Sequence, residues 1–102
     1  MDDELERIHR LFGALSEAKW RRACKPGVSA VDVLTEDVFV PSGADELAIW
    51  LELTSPENYD SLRRYVEYWQ RREINDYAER LHQQLLFEAT NRWEQWNALT
   101  GI

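Results

Sequence analysis

Two tetrapeptides, Glu6-Arg7-Ile8-His9 and Glu79-Arg80-Leu81-His82, contain both histidines of the chain and repeat one spacing. On a helix, residues three apart share a face, so each pattern can present a carboxylate and an imidazole together, a pairing that suits a metal ion. Other residues capable of chemistry are scattered. Cys24 follows Lys19, Arg21 and Arg22, whose charge favours a thiolate, but the sequence assigns it no histidine partner. The acidic pairs Glu36-Asp37 and Asp45-Glu46 act as acid and base only inside a cleft, and 102 residues enclose little of one. The four glycines lie far apart, which leaves no glycine-rich phosphate loop.

The helices that carry the two patterns decide whether they converge. Asp3 and Glu6 have capping-box spacing, and Leu5, Ile8, Phe12 and Leu15 then recur as one apolar stripe widened by Leu11. Lys19, Arg21, Arg22 and Lys25 gather where the helix dipole favours cations, and Lys25-Pro26-Gly27 ends a predicted helix of about 3–24. Glu-x-x-His on two helices resembles the ligand arrangement of ferritin-like carboxylate-bridged proteins, which would imply metal ligation by Glu6, His9, Glu79 and His82. His82 lies near the middle of its helix's apolar arc. Glu79 falls at the edge of that arc, and Glu6 and His9 fall outside the stripe of the first helix. No metal, no cofactor and no catalytic residue is therefore expected.

Between the helices, residues 28–53 are rich in β-branched side chains, and Pro41-Ser42-Gly43-Ala44-Asp45 has the composition of a turn. Ile49, Leu51 and Leu53 alternate with Ala48, Trp50 and Glu52, which predicts a small β-hairpin over residues 36–53. The competing possibility is a short helix capped by Ser42 and running through Leu53. Ser55-Pro56-Glu57 then opens another helix, and no breaker follows before Gly101. The apolar face changes from Leu62, Tyr65, Val66 and Trp69 to Tyr77, Leu81, Leu85, Ala89 and Trp96, a turn of about 130° within Gln70–Asp76. Two helices, about 56–74 and 76–99, are predicted to meet at a corner there. The expected fold is mainly α (α+β): one domain of three helices with a hairpin between the first and second.

Charge narrows the function. Residues 26–62 contain Asp32, Glu36, Asp37, Asp45, Glu46, Glu52, Glu57 and Asp60 and no Lys or Arg, whereas the segments on either side nearly balance. The net charge of −7 thus belongs to the middle of the chain. The arginine doublets Arg21-Arg22, Arg63-Arg64 and Arg71-Arg72 could neutralise phosphates, but Glu67 and Glu73 accompany them, and the excess acid repels a phosphate backbone. No apolar run approaches the roughly 20 residues that span a bilayer. The start, MDDELERIHR, lacks the basic and then apolar order of a secretory signal, so a cytoplasmic location is expected. Aromatic residues form 12% of the chain, which makes Trp20, Trp50 and Phe87 candidates for contact anchors while Trp69, Trp93 and Trp96 cover seams of the core.

Together these features describe a non-enzymatic, protein-binding protein whose acidic segment docks on the basic surface of another macromolecule, such as a nucleic-acid-binding protein. The expected partner-binding residues are Asp32, Glu36, Asp37, Asp45, Glu46, Trp50 and Glu52. In size and composition the chain is similar to small phage-encoded antagonists and toxin-neutralising immunity proteins, which implies an inhibitor or a nucleic-acid mimic. The alternative is an assembly subunit that pairs with its own copies, for instance as a homodimer.

Overall fold

The computed structural model describes residues 3–23, 27, 40–72 and 76–101, and among these it forms four α-helices and one short 3-10 turn. Helix α1 is Asp3–Ala23, α2 is Ala44–Leu53, α3 is Tyr59–Gln70 and α4 is Asp76–Thr100, with the 3-10 turn Pro56–Asn58 leading into α3. There is no strand among the described residues, so the fold is mainly α. The predicted first and last helices agree with α1 and α4 to within a residue. Where one helix over 56–74 is predicted, the chain forms the 3-10 turn and then α3, which ends at Gln70. Residues 73–75, where the corner is expected, lie outside the described residues.

The hairpin is the correction. Its second arm is α2, because helical and not alternating spacing buries this segment. Glu46, Trp50 and Leu53, at i, i+4 and i+7, all face inward, and Ile49 packs against the same core. Gly43 is the N-cap in an extended conformation, and the Leu47 N–H donates to the Gly43 carbonyl over 2.9 Å. Ser42, one residue earlier, donates through its hydroxyl to Glu46 Oε2 over 2.9 Å, so the start is tied by side chains one step from the expected Ser42–Asp45 pair. At the other end Thr54, fully buried, donates both its N–H and its hydroxyl to the Trp50 carbonyl. Residues 36–39, at the start of the expected hairpin, lie outside the described residues, and Val40 is not in a strand.

The core draws on all four helices: Ile8 and Leu15 from α1, Trp50 and Leu53 from α2, Leu62, Tyr65 and Val66 from α3, and Leu81, Leu85 and Ala89 from α4. Helix α1 packs against α2 and α3, and α3 packs against α4. Polar links fix the approach of α1. Arg64 of α3 pairs with Glu4 at 2.6 Å, and the Arg7 guanidinium donates to Asn58 Oδ1 over 2.7 Å. Asn58 in turn donates to the Glu52 carbonyl, joining α1, the end of α2 and the start of α3 through one side chain. Helix α3, with 12 residues, runs antiparallel to α4, with 25, and so covers about half of its length. Trp93, which stacks on Tyr59 at the end of that cover, and Trp96 and Leu99 beyond it are exposed.

Trp50 provides the test of this packing. It is only 6% exposed and stands among ten core residues. Trp50→Ala is expected to cost about 3–5 kcal/mol in chemical denaturation, the range for emptying a large aromatic site. A loss below about 0.5 kcal/mol, as surface positions give, would put the ring outside the core.

Candidate functional site

The two histidines of the Glu-x-x-His patterns meet in one aromatic assembly built by α1, α3 and α4. His9 stacks on Trp69, with ring centroids 6.0 Å apart and planes 18° apart, and its Nδ1 shares a 3.0 Å hydrogen bond with the Tyr65 hydroxyl. The Tyr65 ring meets His82 edge-on at 5.3 Å, and Phe12 stacks on His82 at 4.2 Å while also touching Tyr65 at 5.9 Å. The glutamates take no part. Glu6 and Glu79 are exposed, and among the described residues no three His, Cys, Asp or Glu side chains come together as a metal site requires. The ferritin-like ligand set is therefore not assembled among them.

Burial governs the chemistry of this cluster. His82 is 3% exposed, and neither ring nitrogen has a hydrogen-bond partner among the described residues. Loss of solvation, with a smaller contribution from nearby His9, pushes the His82 imidazole down from 6.5 to about 4. It is accordingly neutral at physiological pH and packs as an aromatic ring. Burial likewise pushes the Tyr65 phenol up to about 12, with Trp69 opposing slightly, so Tyr65 remains a neutral hydroxyl.

The acidic segment is arranged differently from its expected form. Asp32, Glu36 and Asp37 lie outside the described residues, as does Cys24. Asp45 and Glu52 are exposed on α2, about 20° apart around its axis. Glu46 is only 5% exposed and accepts hydrogen bonds from the Ser42 hydroxyl and N–H, while Trp50 belongs to the core. Both therefore face away from the surface on which a partner would dock. Of the other proposed anchors, Trp20 and Phe87 are exposed, Phe87 at 64%.

Leu47 and Leu51 were missed by sequence reasoning. With Ala44 and Ala48 they give α2 an apolar outer face, at one edge of which stand Asp45 and Glu52. Strand alternation had assigned Leu51 to the interior, whereas 100° spacing sets Leu47 and Leu51 well away from Leu53 and would have found this face. Arg92 of α4 donates to the Leu51 carbonyl over 3.2 Å and holds the end of α2 against α4. No described helix is long and apolar enough to cross a membrane.

Comparison of the chain with protein families, curated proteins and solved structures finds no match in any of the three.

The His82 environment predicts a pH response with a definite sign. The unfolded chain takes up a proton near pH 6.5 and the folded chain only near 4, so stability is complete above 6.5 and falls as pH drops between these values. Allowing for solvent screening, the loss attributable to His82 is on the order of 2 kcal/mol. In denaturant titrations across this window, wild type should lose that amount of stability relative to His82→Phe as pH falls. A constant difference between the two proteins would contradict the neutral, unpartnered imidazole.

Proposed function

We propose that the chain is a non-enzymatic, protein-binding protein of the cytoplasm that docks through the outer face of α2 on a partner whose own surface is apolar and bordered by basic side chains. One observation carries this reading. Helix α2 buries Trp50 and Leu53 inward yet turns Leu47 and Leu51 outward, and its only charged residues are Asp45, Glu46 and Glu52. A helix apolar on both sides is ordinarily covered on both sides. Acids at the margin of such a face steer a basic partner toward it and disfavour acidic ones. A basic protein surface is commonly one that binds nucleic acid, so an inhibitor, an immunity protein or a nucleic-acid mimic would work in this way. The acidic residues 26–39, where Asp32, Glu36 and Asp37 stand in the sequence, would extend the same charge.

A second reading, an assembly subunit that pairs with its own copies, is favoured by the exposure of Phe87 and of Leu99, which is 87% exposed at the end of α4. Light scattering separates the two, because a stable higher oligomer without a partner supports assembly.

The test of the first reading compares capture from the native host by wild type, by Asp45→Lys with Glu52→Lys, by Leu47→Ser with Leu51→Ser, and by Glu67→Lys with Glu94→Lys as a control. A basic protein should be retained by wild type and the control and lost by both α2 variants, with weaker retention as salt rises. Equal retention by all four proteins would overturn the docking role of α2.

A further inference from the structure

Ser55, Pro56, Glu57 and Trp96 line a cavity of about 330 Å3 between the 3-10 turn and the last third of α4. Its size is at the low end for a ligand site and fits a single long side chain better than a cofactor. The four residues differ usefully in chemistry. Trp96 is 44% exposed and presents an indole surface. The Glu57 carboxylate is exposed and has no ion-pair partner among the described residues. Nearby cations are engaged elsewhere: Arg63 with Asp60 at 3.8 Å, and Arg92 with the Leu51 carbonyl. Pro56 offers an apolar wall, and the Ser55 side chain makes no hydrogen bond to the helix start it precedes.

An aromatic face beside an unpaired carboxylate, an apolar wall and a free hydroxyl is the set of groups that recognises a cation on an aliphatic stem. We propose that this cavity receives an arginine side chain of the partner. The guanidinium stacks on Trp96 and donates to Glu57, and the methylenes of its stem lie on Pro56. Arginine suits the cavity better than lysine because its planar head stacks and forms hydrogen bonds at the same time. The chain itself contains this stacking, with the Arg72 guanidinium 4.4 Å from the centre of the Tyr68 ring. The cavity is also close to the docking face. Arg92, which touches the end of α2, precedes Trp96 by one helical turn, roughly 6 Å along α4. The inference deepens the docking reading by giving its basic partner a specific contact, and it rests on that reading only for the source of the arginine.

The experiment titrates isotope-labelled full-length protein with Nα-acetyl-arginine methylamide and follows the tryptophan indole N–H signals, that of Trp96 being identified by Trp96→Phe. The arginine probe should shift the Trp96 signal saturably in the millimolar range. The uncharged citrulline analogue should leave it unmoved, and Glu57→Gln should weaken the arginine probe about five-fold, the loss for one exposed charge contact. Glu57 is exposed, so this variant folds, and its unchanged amide spectrum verifies that. Equal shifts from the citrulline analogue, or equal arginine binding by Glu57→Gln, would overturn the arginine site. Asp45→Lys with Glu52→Lys should bind the probe as wild type does, because neither residue lines the cavity. If the probe fails while capture still depends on α2, the cavity proposal alone is wrong. If the probe binds but capture ignores α2, the docking reading alone is wrong.

Discussion

Three helices converge on the ring of Tyr65, and the need to keep its hydroxyl satisfied while burying the ring organises much of the molecule. The side chain is 1% exposed, and its edge and faces meet His82, Phe12 and Trp69. Its hydroxyl reaches His9 on α1, which holds the hydroxyl end of the ring against the first helix. Aromatic pairs of this kind add about 0.5–1.5 kcal/mol each beyond burial, and they fix orientation as well as distance. Because His9 and Phe12 of α1 and His82 of α4 touch the same side chain, a shift of either helix would disturb contacts with the other.

The position of α2 follows from that arrangement. Once α1, α3 and α4 are locked around Tyr65, Trp50 and Leu53 have a fixed surface to pack on, and Asn58 joins the end of α2 to Arg7. The helix is only ten residues long and would be marginal in isolation, so tertiary packing holds it. With its inner face thus committed, Leu47 and Leu51 have no inward direction left. Their exposure is imposed by the core, and a partner that covers them would bury apolar surface at little cost in rearrangement.

Long, strongly periodic elements were legible in the sequence. The stripe from Leu5 to Leu15 became the buried side of α1, and Leu81, Leu85 and Ala89 became that of α4. The short middle segment was not legible. Over ten residues, alternation groups Ile49, Leu51 and Leu53 while helical spacing groups Glu46, Ile49, Trp50 and Leu53, and packing against the other helices decides between them. That single error of period exchanged Trp50 for Leu47 and Leu51 as the outward residues. The meeting of His9 and His82 in one cluster was also hidden, because His9 falls outside the α1 stripe and reaches the cluster through Tyr65 and Trp69 of another helix. The Glu-x-x-His spacing brought the two histidines to notice, but it carried no information about where the glutamates would face.

The docking role of α2 is tested most directly by amide hydrogen exchange of the free protein and of its complex with the captured basic partner. The account predicts slower exchange over residues 44–53 and at the 3-10 turn beside Trp96, with the Phe87 side of α4 unchanged. Protection confined to the Phe87 side of α4, with exchange in α2 the same in both states, would contradict it.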